Sequence, residues 1–167
     1  MAYEEAAYQS VYQGEGFEVR FYEERLVIQT RYIGANSGFQ KLFKYISGGN
    51  QNSQKIEMTT PVTMVQDDEQ MIMQFYLPSR FDINSAPLPA DSSVQIESIK
   101  PGHFAIIQYS GFASDKNFSK HAAILKAALD KNDIKILGQP IKATYNGPFT
   151  LPHLRRNEAM YPIRWNN

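Results

Sequence analysis

The sequence has no cysteine. Disulfides, thiolate metal sites and cysteine nucleophiles are therefore excluded. It also has no net charge, because seventeen Lys and Arg balance seventeen Asp and Glu. No field of one sign marks the chain as a nucleic-acid binder. No apolar run approaches the roughly 20 residues of a membrane-spanning helix. The start, Met1-Ala2-Tyr3-Glu4-Glu5, is acidic and unlike a signal peptide. The cytoplasm is the expected location. Histidines number only three. Neither a Ser-His-acid order nor a glycine-rich phosphate loop stands out, so a non-enzyme is expected.

What remains is a chain of 167 residues with a hydrophobic fraction of 43%, enough for one domain with a sizeable core. Its organising stretch is residues 55–64. Ile56, Met58, Thr60, Val62 and Met64 alternate with Glu57, Thr59, Pro61 and Thr63, a strand pattern that Pro61 interrupts. Residues 1–14 read as a polar, tyrosine-bearing arm. Alternation predicts strands over 17–22 and 26–32, joined by Glu23-Glu24 as a hairpin. Ser37 offers an N-cap with Gln40 as its partner. Phe39, Leu42, Phe43 and Ile46 then mark a short helix that Gly48 ends. Further strands follow over 71–77, 94–99, 103–109, 141–145 and 158–164. A longer helix carries Phe118, Ala122, Leu125 and Leu129 as its buried stripe.

Strand, strand, helix, strand, strand thus occurs twice. The halves are 15–81 and 93–165, joined by a Pro-, Ala- and Ser-rich connector over 82–92. Two ββαββ repeats predict an α+β fold, a distorted antiparallel β-barrel of eight strands with two helices.

Several segments carry a resemblance: Phe17-Glu18-Val19-Arg20-Phe21-Tyr22, residues 39–50, Lys55-Ile56-Glu57-Met58-Thr59-Thr60-Pro61-Val62, Phe75-Tyr76-Leu77-Pro78-Ser79, Gly111-Phe112 and Arg155-Arg156-Asn157-Glu158. In this order, and over roughly residues 15–165, the chain resembles the SOUL haem-binding proteins. The resemblance implies the barrel just described and a relation to bacterial effector-binding domains. It implies a soluble carrier or buffer of haem or protoporphyrin, with the ligand in an apolar groove. The implied groove residues are Asn36, Phe39, Leu42 and Phe43 on the first helix, and Phe149, Leu151, His153, Leu154 and Arg155 in the last loop. One branch of the family is proposed to ligate iron with a histidine in its first strand. The corresponding residue here is Phe21, so that mode lacks its ligand.

Physical chemistry asks a tetrapyrrole site for aromatic or aliphatic walls and for cations near the two carboxylates. Phe39 and Phe43 suit the walls, although core packing explains their spacing equally well. Lys41, Lys44, Arg155 and Arg156 suit the charge. His153 is the histidine with a positional case as an iron ligand, against the plainer reading of a solvent-exposed loop residue. His103, His121 and the methionines Met58, Met64, Met71 and Met73 read as structural. Arg155, Arg156 and Glu158 read as a salt-bridge cluster fixing the last strand. Glu57 and Glu158 are the carboxylates that a hydrolase-like reading would need. An effector-binding module for other amphipathic molecules is the remaining alternative.

Overall fold

The structure, a computed structural model, describes residues 3–34 and 37–166, excepting the Ser37 side chain. Its strands are β1 (Glu4–Glu5), β2 (Tyr8–Gln13), β3 (Glu18–Tyr22), β4 (Arg25–Tyr32), β5 (Thr59–Thr60), β6 (Val62–Asp67), β7 (Gln70–Tyr76), β8 (Val94–Ile99), β9 (Gly102–Tyr109), β10 (Ile141–Thr144) and β11 (Asn157–Ile163). The helices are α1 (Ser37–Ile46) and α2 (Asp115–Lys131), with a 3-10 turn at Pro152–Leu154. The α+β class and the two helices are as the sequence predicts. Among the described residues nine strands are longer than two residues, against eight expected. The extra one is β2, which lies in the N-terminal segment expected to be an arm. Its alternating tyrosines pair with β3.

The chain divides into two compact units. Unit 1 takes residues 1–6 and 24–100, and unit 2 takes 7–23 and 101–167. Unit 1 contains the antiparallel run β6-β7-β4-β8. It also holds β1, which pairs in parallel with β5. Pro61 divides β5 from β6, as the proline predicts, and the Thr60–Pro61 bond is cis. One face of the run carries Ile28, Phe75, Met73 and Val94. On it pack Leu42, Tyr45 and Ile46 of α1, making the core of the unit. The Tyr45 hydroxyl is buried and donates to Pro87 O at 2.6 Å. Helix α1 ends on a Schellman motif. Gly48 N–H bonds Tyr45 O and Gly49 N–H bonds Lys44 O, with Gly48 at φ 115°.

Unit 2 contains the run β2-β3-β9-β11-β10, all antiparallel. Helix α2 begins at Ser114, whose side chain accepts from Asn117 N–H. Its Leu125 and Leu129 bury against Val19, Ala105, Tyr161 and Ile163. Ala122 packs with Tyr109 and Ala159.

Pairing corrects one expectation. Strands β3 and β4 do not form a hairpin. β3 takes β2 and β9 as partners, and β4 takes β7 and β8. The first strand of each ββαββ half therefore belongs to the unit built mainly from the other half. Alternation identifies a strand and its inward face, but it carries no information about which strand lies beside it. The short Glu23-Glu24 link joins two strands that pair with different partners.

Candidate functional site

Helix α1 contributes the first candidate surface. Phe39 and Phe43 stand one turn apart, and their rings lie nearly parallel, 6.0 Å between centroids and 14° between planes. Phe39 also meets Phe75 edge-on at 5.2 Å. Core packing does not consume these two side chains, which remain 39% and 48% exposed. Covering what is left of both rings, roughly 170 Å2, is worth about 4 kcal/mol before association costs. Leu42 differs. It is fully buried in the unit 1 core and presents no surface. Asn36 lies outside the described residues. Met58 and Met64 are half-buried against the same core, while Met73 is inside it.

Lys41 and Lys44 leave α1 on another flank, about 140–200° round from Phe39. They line a cleft of about 280 Å3 with Tyr45, Pro89 and Asp91. Lys41 Nζ donates to Ser93 Oγ at 3.0 Å. Hydrogen bonds from Ser93, with the nearby charges of Lys41 and Lys44, hold the Asp91 carboxyl below its usual range. The lysine charges thus face a carboxylate and not the phenylalanine pair.

The second candidate surface is the loop between β10 and β11 in unit 2. Phe149 is 97% exposed, and Leu151 and Leu154 are exposed as well. His153 is exposed on the 3-10 turn. The loop is tied from within. Arg155 donates from Nη1 to Gly147 O at 2.8 Å and from Nη2 to Asn146 O at 3.2 Å. Arg156 N–H donates to Asn146 Oδ1 at 2.6 Å. Pro152 O accepts from Gly111 N–H at 2.9 Å, which joins the loop to the segment carrying exposed Phe112.

The other histidines have structural partners. His103 lies against Phe21, with ring centroids 5.0 Å apart. His121 stacks on Tyr109 at 4.0 Å, and its Nδ1 is 2.8 Å from Asn117 O. Among the described residues no group of three or more His, Asp or Glu gathers as a metal site.

Sequence reasoning missed the most heavily paired feature of unit 2. Glu158 is fully buried. Its Oε1 accepts from Arg20 Nη1 at 2.8 Å and from the Tyr145 hydroxyl at 2.7 Å. Its Oε2 accepts from Arg20 Nη2 at 2.9 Å and from Arg156 Nε and Nη2 at 3.1 and 3.0 Å. Arg20 also bonds Glu18 at 2.7 Å and the Tyr22 hydroxyl at 3.1 Å, and Tyr8 lies over its guanidinium at 4.1 Å. Burial alone would raise the Glu158 carboxyl, but the hydrogen bonds and charge of Arg20 hold it below its ordinary value. Burial and the Glu158 charge push the Tyr145 hydroxyl up. Of the expected Arg155–Arg156–Glu158 cluster, Arg156 and Glu158 form the salt bridge, whereas Arg155 bonds loop carbonyls instead. Arg20 was the missing partner. Its signal was the all-polar face Glu18, Arg20, Tyr22 of one strand. Glu57, the other carboxylate considered, is exposed and paired with Arg80.

Comparison with known proteins decides the family. The sequence model described as "SOUL heme-binding protein" matches residues 3–162. The chain belongs to the SOUL haem-binding family. The SOUL chain is 28% identical over 163 residues to Heme-binding protein 1 of Xenopus laevis, spanning 89% of this chain and 84% of that protein. It is 30% identical over 139 residues to human Heme-binding protein 2, spanning 78% and 66%. In fold, this SOUL chain is similar to the EcmrR C-terminal domain, with a TM-score of 0.67 at 14% identity over 94% of this chain and 98% of that one. A structure described as a hydrolase from Listeria innocua gives 0.65 at 9% identity, over 89% and 91%. No helix among the described residues of the SOUL chain is long and apolar enough to cross a membrane.

Proposed function

We propose that this chain binds haem or iron-free protoporphyrin reversibly, as a soluble carrier or buffer. The exposed, nearly parallel Phe39–Phe43 pair carries the reading, because it offers a flat macrocycle an apolar wall that the core leaves uncovered. Membership in a haem-binding family supports the ligand class. Phe149, Leu151 and Leu154 supply a second apolar surface, and exposed His153 on the same loop is the histidine placed to serve as an iron ligand. Bound haem would supply redox and ligand-exchange chemistry at iron. The chain's own residues cover the macrocycle and exclude water from it, so affinity comes from desolvation more than from coordination.

Hemin titration of the purified protein tests this. A saturable shift of the Soret band is expected, and Phe39→Asp with Phe43→Asp should abolish it. An unchanged titration in that variant refutes the α1 surface. An effector-binding role for other amphipathic molecules is separated by comparing stabilisation from hemin, protoporphyrin and cationic dyes. Against the hydrolase-like reading stands the saturation of Glu158. Its five donor contacts leave the carboxylate no free acceptor for a substrate proton.

A further inference from the structure

Resting on the tetrapyrrole reading, the geometry points to Arg155 and Arg156 as positioning residues, so that the 146–157 loop reads the macrocycle and not its carboxylates. Sequence chemistry casts both arginines as partners for propionates. The structure turns two nitrogens of each guanidinium toward the protein itself. The Arg155 guanidinium spans two successive carbonyls of its own loop, Asn146 O and Gly147 O. Its Nε is buried and faces no acceptor. Arg156 lies over the Tyr145 ring at 3.8 Å and gives Nε and Nη2 to the buried Glu158.

The effect is a brace across the base of the loop. Gly147 O accepts from Thr150 N–H at 3.2 Å and from Arg155 at 2.8 Å. Asn146 is held at both its carbonyl and its side chain, by Arg155 and by Arg156 N–H. A turn fixed at these points keeps Phe149, Leu151 and Leu154 facing outward. Holding large apolar groups out of a core costs order, and a planar fork that fills two carbonyls at once supplies it with little entropy loss. Moving Arg156 onto a propionate would take donors from the buried Glu158, and moving Arg155 would release both carbonyls at the base of the loop.

Two substitutions and two ligands separate the roles. Arg155→Lys keeps the charge but cannot span both carbonyls, and Arg155→Gln removes the charge. Affinities are measured for hemin and for its dimethyl ester, which has no carboxylates. Chymotrypsin cleavage after Phe149 is followed in the ligand-free proteins. Both variants should weaken both ligands by about tenfold, the scale of one or two lost hydrogen bonds. Both should also be cut faster than wild type. A loss confined to hemin and rescued by Lys would overturn the proposal in favour of propionate pairing. Unchanged cleavage in both variants would overturn it too. If the wild-type chain binds neither ligand, the tetrapyrrole reading fails, and the cleavage rates alone still decide whether Arg155 braces the loop.

Discussion

Replacing Glu158 by Gln changes one buried oxygen to an amide nitrogen and removes one charge. The consequences follow from the five donors around the carboxylate. Gln offers one acceptor oxygen and places an NH2 against donors from Arg20 or Arg156. Arg20, 1% exposed, keeps only Glu18 as its counter-charge. Breaking a buried ion pair on one side costs about 3–5 kcal/mol. For a chain of this length that is a fall in Tm of roughly 10 °C. The same site predicts a pH signature. The folded carboxyl titrates below its unfolded value of 4.5. Its contribution is therefore complete above pH 4.5 and disappears as pH drops through the lower folded value. Denaturant melts of wild type and Glu158→Gln between pH 7 and pH 3 are the assay. Their difference should shrink on acidification. The double variant Arg20→Met with Glu158→Leu should cost less than the two single changes summed. A single-variant loss under 1 kcal/mol, or a difference that stays flat with pH, refutes the reasoning.

Other expectations are as direct. A Cβ on Gly49 would sit 2.8 Å from Lys44 O, a backbone atom that cannot yield. Gly49→Ala should therefore cost about 1–3 kcal/mol in a urea melt. Burial pushes Tyr45 and Tyr109 up to about 12. Absorbance near 295 nm should show a late-ionising class of tyrosine. Stability should be complete below the ordinary tyrosine value of 10 and decline as pH rises through 12. His153→Ala should leave the Soret band of the hemin complex in place, and a displaced band would make His153 an axial ligand.

Local pattern made much of this molecule legible. The stripe Phe39, Leu42, Phe43, Ile46 and the stop at Gly48 locate α1, and Pro61 marks the break between β5 and β6. The stripe could not say which of its members turn outward. Leu42 and Phe43 are adjacent in sequence, yet the first is sealed in the core and the second is 48% exposed. The width of the surface a helix covers decides that, not its period. Long-range pairing was hidden for a related reason. Arg20 and Glu158 are 138 residues apart. Each alone looks like an ordinary charged strand position, and pairing through β9, Arg20 opposite Phe104 and Glu158 opposite Gln108, puts both on one face of the sheet. The two arginines at 155 and 156 show a third limit, since composition counts charges without showing where their hydrogens already point.

Each half of the chain lends its opening strand to the other. A separate ββαββ peptide would lack a partner for that strand and would leave a gap where the lent one belongs. Two such peptides could satisfy both needs only by mutual donation, which is the topology of a swapped homodimer. A cut in the 82–92 connector should therefore give fragments that become protease-resistant only when mixed.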